Sequence, residues 1–171
     1  TGTGTATGTK AGVVRTAVKL ATGSTVSLSP ASKSGSRVAH TGTKVTIKKA
    51  SKSSSKTVKK ATSWIVRAGV GSKKGYSFES VDRKGYYLAA PADGTGTASL
   101  LKKSGSASFA KRVTFSAVKG SMGAAVSLRL TARPTSSLKV SGSKLVAGTV
   151  GKSMSATMAA DFTLPKGLAK R

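Results

Sequence analysis

Three apolar–Ser–apolar triplets recur at a fixed interval. They are Val26-Ser27-Leu28, Tyr76-Ser77-Phe78 and Val126-Ser127-Leu128, spaced by 50 and 50 residues. Each has the alternation of a strand with one buried face. Ten residues on, Ser36-Arg37-Val38, Tyr86-Tyr87-Leu88 and Ser136-Ser137-Leu138 keep the interval of 50. A single aromatic stands near the end of each unit: Trp64, Phe115 and Phe162, at spacings of 51 and 47. These lie in the alternating runs TSWIV, VTFSA and DFTLP, and TKVTIKK, TASLLKK and SKLVAGT also read as short strands. A period of this size limits the fold sharply, because each unit is one supersecondary element that cannot bury its apolar face alone.

Each unit offers about four short strands between Gly-, Ser-, Lys- and Pro-rich turns, and helical periodicity is absent. The expected class is all-β. The expected architecture is a β-trefoil, a closed six-strand barrel capped by three hairpins, with repeats over about 25–70, 75–120 and 125–168. Closure also removes unpaired strand edges. A three-bladed propeller is the competing geometry, but propellers normally have about four blades or more. The register assigns Val26, Leu28, Val38, Val45, Ile47, Trp64, Val66, Phe78, Leu88, Leu100, Phe109, Phe115, Val126, Leu128, Leu138, Leu145 and Phe162 to the core. Residues 1–24 read as a Thr/Gly-rich arm ahead of a domain at 25–171, since TGTGTATGT has no large side chain to bury. Within the arm, Val13–Leu20 reads either as a helix grouping Val13, Val14, Ala17 and Val18 or, favoured by its short β-branched run, as a strand with Val14, Thr16, Val18 and Leu20 on one side that adds to a neighbouring molecule.

Composition then narrows the chemistry. Thirty Lys plus Arg stand against four acids and one His, a formal charge of +26. With no Cys there is no disulfide, thiol nucleophile or Cys zinc site. One His cannot build a metal site, so neither metal nor cofactor is expected. Glycoside hydrolysis needs a positioned carboxylate pair. The only closely spaced acids are Glu79 and Asp82, which read as an outward strand residue salt-bridged to a surface Lys and a turn residue. An enzyme is therefore not expected. No apolar run approaches the ~20 residues of a membrane helix. A first residue other than Met, together with the lack of Cys, fits a secreted or cell-surface protein whose leader was removed.

The densest basic stretch is TKVTIKKASKSSSKTVKK, with Lys44, Lys48, Lys49, Lys52, Lys56, Lys59 and Lys60. Its Ser-rich middle reads as a hairpin tip or flexible loop. Lys102-Lys103 and Lys111-Arg112 follow in the second unit. Lys48-Lys49 and Lys102-Lys103 are expected to end equivalent strands on one rim. Lys is a hydrated point charge without the Arg fork, so diffuse attraction to a polyanion fits better than shaped recognition. The eight aromatics (one Trp, three Tyr, four Phe) fall mostly at core positions rather than among the lysines. A stacking platform for single-stranded nucleic acid is therefore not expected.

The segments YSFESVDRKGYYLAA, SASFAKRVTFSAVKG and ADFTLPKGLA resemble the arabinofuranose-binding module family of β-trefoils. Its repeat runs roughly S-F-x-S-x-x-x-P-G-x-Y-L-R-H, then F-x-x-D-A-T-F, then a closing P-G-L-A. The resemblance covers all three units, most strongly the second. It implies sugar pockets built from the His after Y-L-R and the Asp of D-A-T-F. His40 keeps the His position in unit one, where Ala61 takes the Asp position. Unit two has Ala90 and Arg112 there, and unit three has Val140 for the His. Asp161, beside Phe162, falls two residues out of register. No unit keeps the pair, so the implied sugar sites are degenerate, with His40 and Asp161 the candidates that remain. As a ligand group His40 would need an acceptor, Asp161 or Asp82.

The leading expectation is a non-catalytic, secreted, lectin-like protein binding polysaccharide or an anionic cell-wall polymer through its lysines. The alternative is a structural or decoration subunit of an extracellular or virion assembly with an acidic protein partner. The third is non-specific nucleic-acid binding, supported by charge alone.

Overall fold

The computed structural model describes residues 16–121 and 123–169. The chain order is β1 (Thr25–Val26), β2 (Ser29–Pro30), β3 (Ser36–Thr41), β4 (Lys44–Lys49), α1 (Lys56–Ala61), β5 (Trp64–Ala68), β6 (Tyr76–Ser80), β7 (Tyr86–Ala89), β8 (Gly96–Thr97) and β9 (Ser99–Lys102). It continues with α2 (Ala107–Val113), β10 (Phe115–Lys119), β11 (Val126–Leu130), β12 (Arg133–Ser141), β13 (Lys144–Thr149), α3 (Met154–Ala159) and β14 (Asp161–Thr163). The fourteen strands form one sheet with antiparallel pairing, so the class is all-β as the alternation implied.

Two sets of pairings organise the sheet. In the first, β5 pairs with β1 and β6, β10 with β6 and β11, and β14 with β11 and β2. Because β1 and β2 are neighbours in the chain, this path returns to where it began. In the second, hairpins β3–β4, β7–β9 and β12–β13 keep matching registers: Ser36 opposite Lys49, Tyr86 opposite Lys102 and Ser136 opposite Thr149. The hairpins meet one another through Lys44–Ser99 and Thr46–Lys144. Gly42 and Gly142 open the tight turns of the first and third hairpins at φ of 61° and 60°, a conformation that favours glycine.

Each unit also holds a short helix, where the sequence reading gives only short strands and turns. Each helix has six or seven residues, less than two turns, so no 3.6-residue periodicity can develop. Their signal lies in capping. Ser55, Ser106 and Ser153 accept the backbone N–H of Val58, Phe109 and Ala156 respectively. Each cap stands nine residues before the aromatic of its unit: Trp64, Phe115 or Phe162. The Ser-rich stretch of unit one is thus a turn that caps α1.

The main core contains Leu28, Val38, Val45, Trp64, Val66, Phe78, Leu88, Leu100, Phe115, Val126, Leu128, Leu138, Leu145 and Phe162, all assigned from alternation. Val26 and Ile47 are only half-buried against it. Phe109 is buried elsewhere, in a second cluster with Tyr87, Ala89 and Val113 between α2 and β7. The Trp64 indole donates to the Val38 carbonyl at 3.1 Å, which satisfies a buried N–H.

Glu79 departs from expectation. It is 5% exposed, not an outward residue bridging to Lys. Its carboxylate accepts from Arg67 Nε at 3.0 Å and from the Gly85 N–H at 2.7 Å. Strand β6 is covered on both faces from Ser77 to Ser80, so alternation no longer separates inside from outside there. Ahead of β1, Ala17 bridges Val118, and Val18 and Leu20 pack on the core with Ala17 and Lys19 outward. That part of the expected arm strand lies on β10 of its own chain, while residues 1–15 fall outside the described residues.

Fully buried leucines carry the fold. Leu128→Ala is expected to lower unfolding free energy by about 2–5 kcal/mol. Met154→Ser, at a position 74% exposed, should stay within about 0.5 kcal/mol of wild type. Urea denaturation of the two variants checks this.

Candidate functional site

His40 lies on β3 with its ring turned to the core, edge-on to Trp64 at 5.9 Å between centroids. The residue is 5% exposed. Its Nε2 sits 2.9 Å from Ser80 Oγ and 3.6 Å from Asp82 Oδ2. Ser80 ends β6, and its hydroxyl also accepts the Arg83 N–H at 3.1 Å. The turn carrying Asp82 and Arg83 therefore folds over the histidine. Asp82 is the outer member, its side chain 37% exposed. Next to it the Arg83 guanidinium covers the Tyr86 ring at 4.1 Å. Between the two acceptors considered for His40, the structure brings up Asp82.

Burial pushes the His40 imidazole below its ordinary range and is the largest influence on it. Asp82 and the Gly42 backbone pull the other way, and Arg83 acts with burial. The ring is thus held neutral between a polar cluster and the aromatic core.

Asp161 has a different setting. It is fully buried, and its carboxylate accepts the Ser121 N–H at 3.0 Å and the Ser121 hydroxyl. Its place in the fold is that of Ser63 and Thr114, the residues preceding Trp64 and Phe115. Those two also accept a backbone N–H from outside the strands: Ser63 from Ala169, past β14, at 3.0 Å, and Thr114 from Gly71, between β5 and β6, at 2.8 Å. Asp161 is thus the third of three struts. The constant spacing from Ser153 to Phe162 puts Ala159, not Asp161, at the position of Ala61 and Arg112.

In unit two the positions matching the family's His and Asp lie side by side. Arg112 Nε donates to the Ala90 carbonyl at 2.8 Å, and the Ala90 N–H donates to the Arg112 carbonyl at 2.8 Å. The arginine side chain is thus tied to the backbone where the resemblance implies a carboxylate. In the cationic set, Lys44, Lys48, Lys49, Lys52 and Lys56 are exposed, while Lys59 and Lys60 lie half-buried in the last turn of α1. Basic residues at a helix C-terminus also complement its dipole. Lys102, Lys103 and Lys111 are exposed on the second hairpin and helix. The hairpin register equates Lys49 with Lys102, so the two Lys pairs are offset by one residue.

Sequence reasoning missed Ser80 as the partner of His40, and it missed Arg37. Arg37 stands where Tyr87 stands 50 residues later, a difference already visible in the repeat.

The sequence has one His, which makes its titration separable. The native value lies below 6.5, so the unfolded chain takes up the proton first as pH falls. Stability should therefore drop from pH 7 toward 5, with a slope of at most about 1.4 kcal/mol per unit. Urea unfolding over this range should show the slope in wild type and not in His40→Gln. Equal slopes would contradict a buried neutral imidazole.

Residues 24–169 match the family model of the alpha-L-arabinofuranosidase B (ABFB) domain. A comparison with curated proteins finds no match. Among solved structures, the chain is similar to a mutant GH54 α-L-arabinofuranosidase soaked with 4-nitrophenyl α-L-arabinofuranoside. The two share 26% identity at a TM-score of 0.80, over 91% of this chain and 33% of that one. An arabinofuranosidase complexed with arabinofuranosyl-α-1,2-xylobiose is also 26% identical, at a TM-score of 0.78 over 93% of this chain and 34% of the other. The Polyporus squamosus lectin, bound to a human-type influenza-binding epitope, shares the fold at 13% identity and a TM-score of 0.64, over 86% of this chain and 50% of the lectin. The chain spans about a third of the length of the two enzymes. With its family match running over residues 24–169, the chain belongs to the alpha-L-arabinofuranosidase B domain family.

Proposed function

We propose that this chain is a non-catalytic carbohydrate-binding domain, a β-trefoil that acts outside the cell and holds polysaccharide through its Lys-rich exterior. The observation that carries the reading is the family match over 24–169, in relatives solved with arabinofuranosides. The trefoil reading is supported by the returning path of strand pairings, the three interlocking hairpins and the three Ser-capped helices, each cap nine residues before its unit's aromatic.

The acids support a non-catalytic role. Glu79 is engaged by Arg67 and Gly85, and Asp161 by Ser121. Asp93 accepts the Thr95 N–H, and Asp82 faces His40. Each serves local structure, and no facing pair remains for hydrolysis. A sugar at the His40 cluster would meet Asp82 and Arg83 first, with His40 and Ser80 behind them fixing the turn. The surrounding lysines would add long-range attraction.

Retention on an anionic cell-wall polysaccharide column tests this. It is expected to weaken steeply between about 0.1 and 1 M salt, as the screening length shrinks from ~10 to ~3 Å. Undiminished retention at high salt would contradict a charge-held domain. Release of nitrophenol from 4-nitrophenyl α-L-arabinofuranoside would contradict the non-catalytic assignment.

A further inference from the structure

The three hairpin–helix units differ most where the helix lies over the hairpin. In unit two the Tyr87 ring packs edge-on to Phe109 of α2 at 5.9 Å, with Ala89 and Val113 completing a small apolar cluster. In unit three the matching hairpin and helix residues are Ser137 and Ala156. In unit one they are Arg37 and Val58. Val38 and His40 face the core, so alternation puts Arg37 and Ala39 on the side of β3 that α1 covers. An arginine thus occupies the position that an aromatic ring fills in the next unit.

This arginine is incompletely satisfied. It is half-buried, and its Nη1 is buried with no hydrogen-bond partner. Leaving such a donor unmet is costly. Its register partner across the hairpin is Lys48, on the same face, and like charges directly opposite repel. Lys49 follows on β4, and Lys59 and Lys60 lie in the last turn of α1. The sequence has four Asp and Glu residues in all. Each lies elsewhere, with partners already described, so no side-chain carboxylate of the chain balances this cluster.

Extending the proposed polysaccharide reading, on which it rests, we infer that the Arg37–Lys48 face of the β3–β4 hairpin beside α1 binds an oxyanion of an acidic polysaccharide, a uronate carboxylate or a sulfate ester. A planar guanidinium offers such a group two parallel N–H donors, and lysines around it add unshaped attraction. Polysaccharide fits better than nucleic acid. Trp64, Phe78, Phe115 and Phe162 are fully buried and Tyr86 lies under Arg83, so these rings offer bases no open face for stacking.

The test is calorimetric titration of the full chain at about 0.15 M salt, near a screening length of 8 Å. The probes are polygalacturonate, dextran sulfate and a random DNA duplex. The variants are Arg37→Met, Arg37→Lys and the exposed control Lys73→Met. Both Arg37 variants should weaken the preferred polysaccharide by about tenfold, the loss of a charge-assisted fork, and Lys73→Met by about twofold or less. Arg37→Lys keeps the charge and removes the fork, so it remains decisive if Arg37→Met folds poorly. The polymer that shows this dependence identifies carboxylate or sulfate. Arg37 variants no weaker than Lys73→Met would overturn this site while leaving the broader reading standing. Absence of wild-type binding to either polysaccharide would overturn both. Tighter binding of DNA with the same Arg37 dependence would overturn the assignment to polysaccharide.

Discussion

A shared apolar core has to hold together a chain that repels itself. Trp64, Phe78, Phe115, Phe162 and six leucines are buried to below 2% exposure. Full burial of a large apolar side chain contributes roughly 1.5–3 kcal/mol. That contribution opposes a formal charge of +26, whose self-repulsion weakens any compact state. The chain makes little use of its acids to relieve this repulsion. Glu79 and Asp161 are buried struts, Asp93 braces a turn, and Asp82 leans on His40. Arg67 and His40 lie beside an acid, while the exposed lysines are left facing outward. A surface so one-sided supports the proposed attraction to an external anion rather than a role in stability.

The same scaffold position carries different chemistry in each unit. Where α2 covers β7 there is a small aromatic cluster, and where α1 covers β3 there is an arginine with an unmet donor. The residue preceding each buried aromatic is Ser63, Thr114 or Asp161, three side chains performing one task with different oxygens. The positions kept alike hold the strand pairings and hairpins together. Those allowed to differ lie at the helix–hairpin contacts and turns, where a ligand could be met.

Much of the core was legible because strand alternation is a two-residue pattern, and a four-residue run suffices to display it. Leu28, Phe78, Leu128 and Trp64 follow from it directly. Helices of six or seven residues cannot display their own period, so α1, α2 and α3 were not legible that way. Their Ser caps, nine residues before each aromatic, were the available signal. Glu79 was misjudged because β6 is covered on both faces. At the candidate site, His40 was found through its place in the repeat, but its contact with Ser80 joins residues 40 apart and depends on the fold. Asp161 is a candidate in the sequence only out of register, and its match to Ser63 and Thr114 in the fold explains why it is buried.

On the proposed site, binding is localised by charge and shape on unit one rather than spread over the whole cationic exterior. Residue-resolved amide shift mapping during titration with an acidic polysaccharide tests this most directly. The account predicts that the largest shifts fall on β3, β4 and α1, around Arg37 and Lys48, and extend to the Asp82 turn. Shifts of similar size on all three hairpins, or centred on β12, β13 and α3, would contradict it.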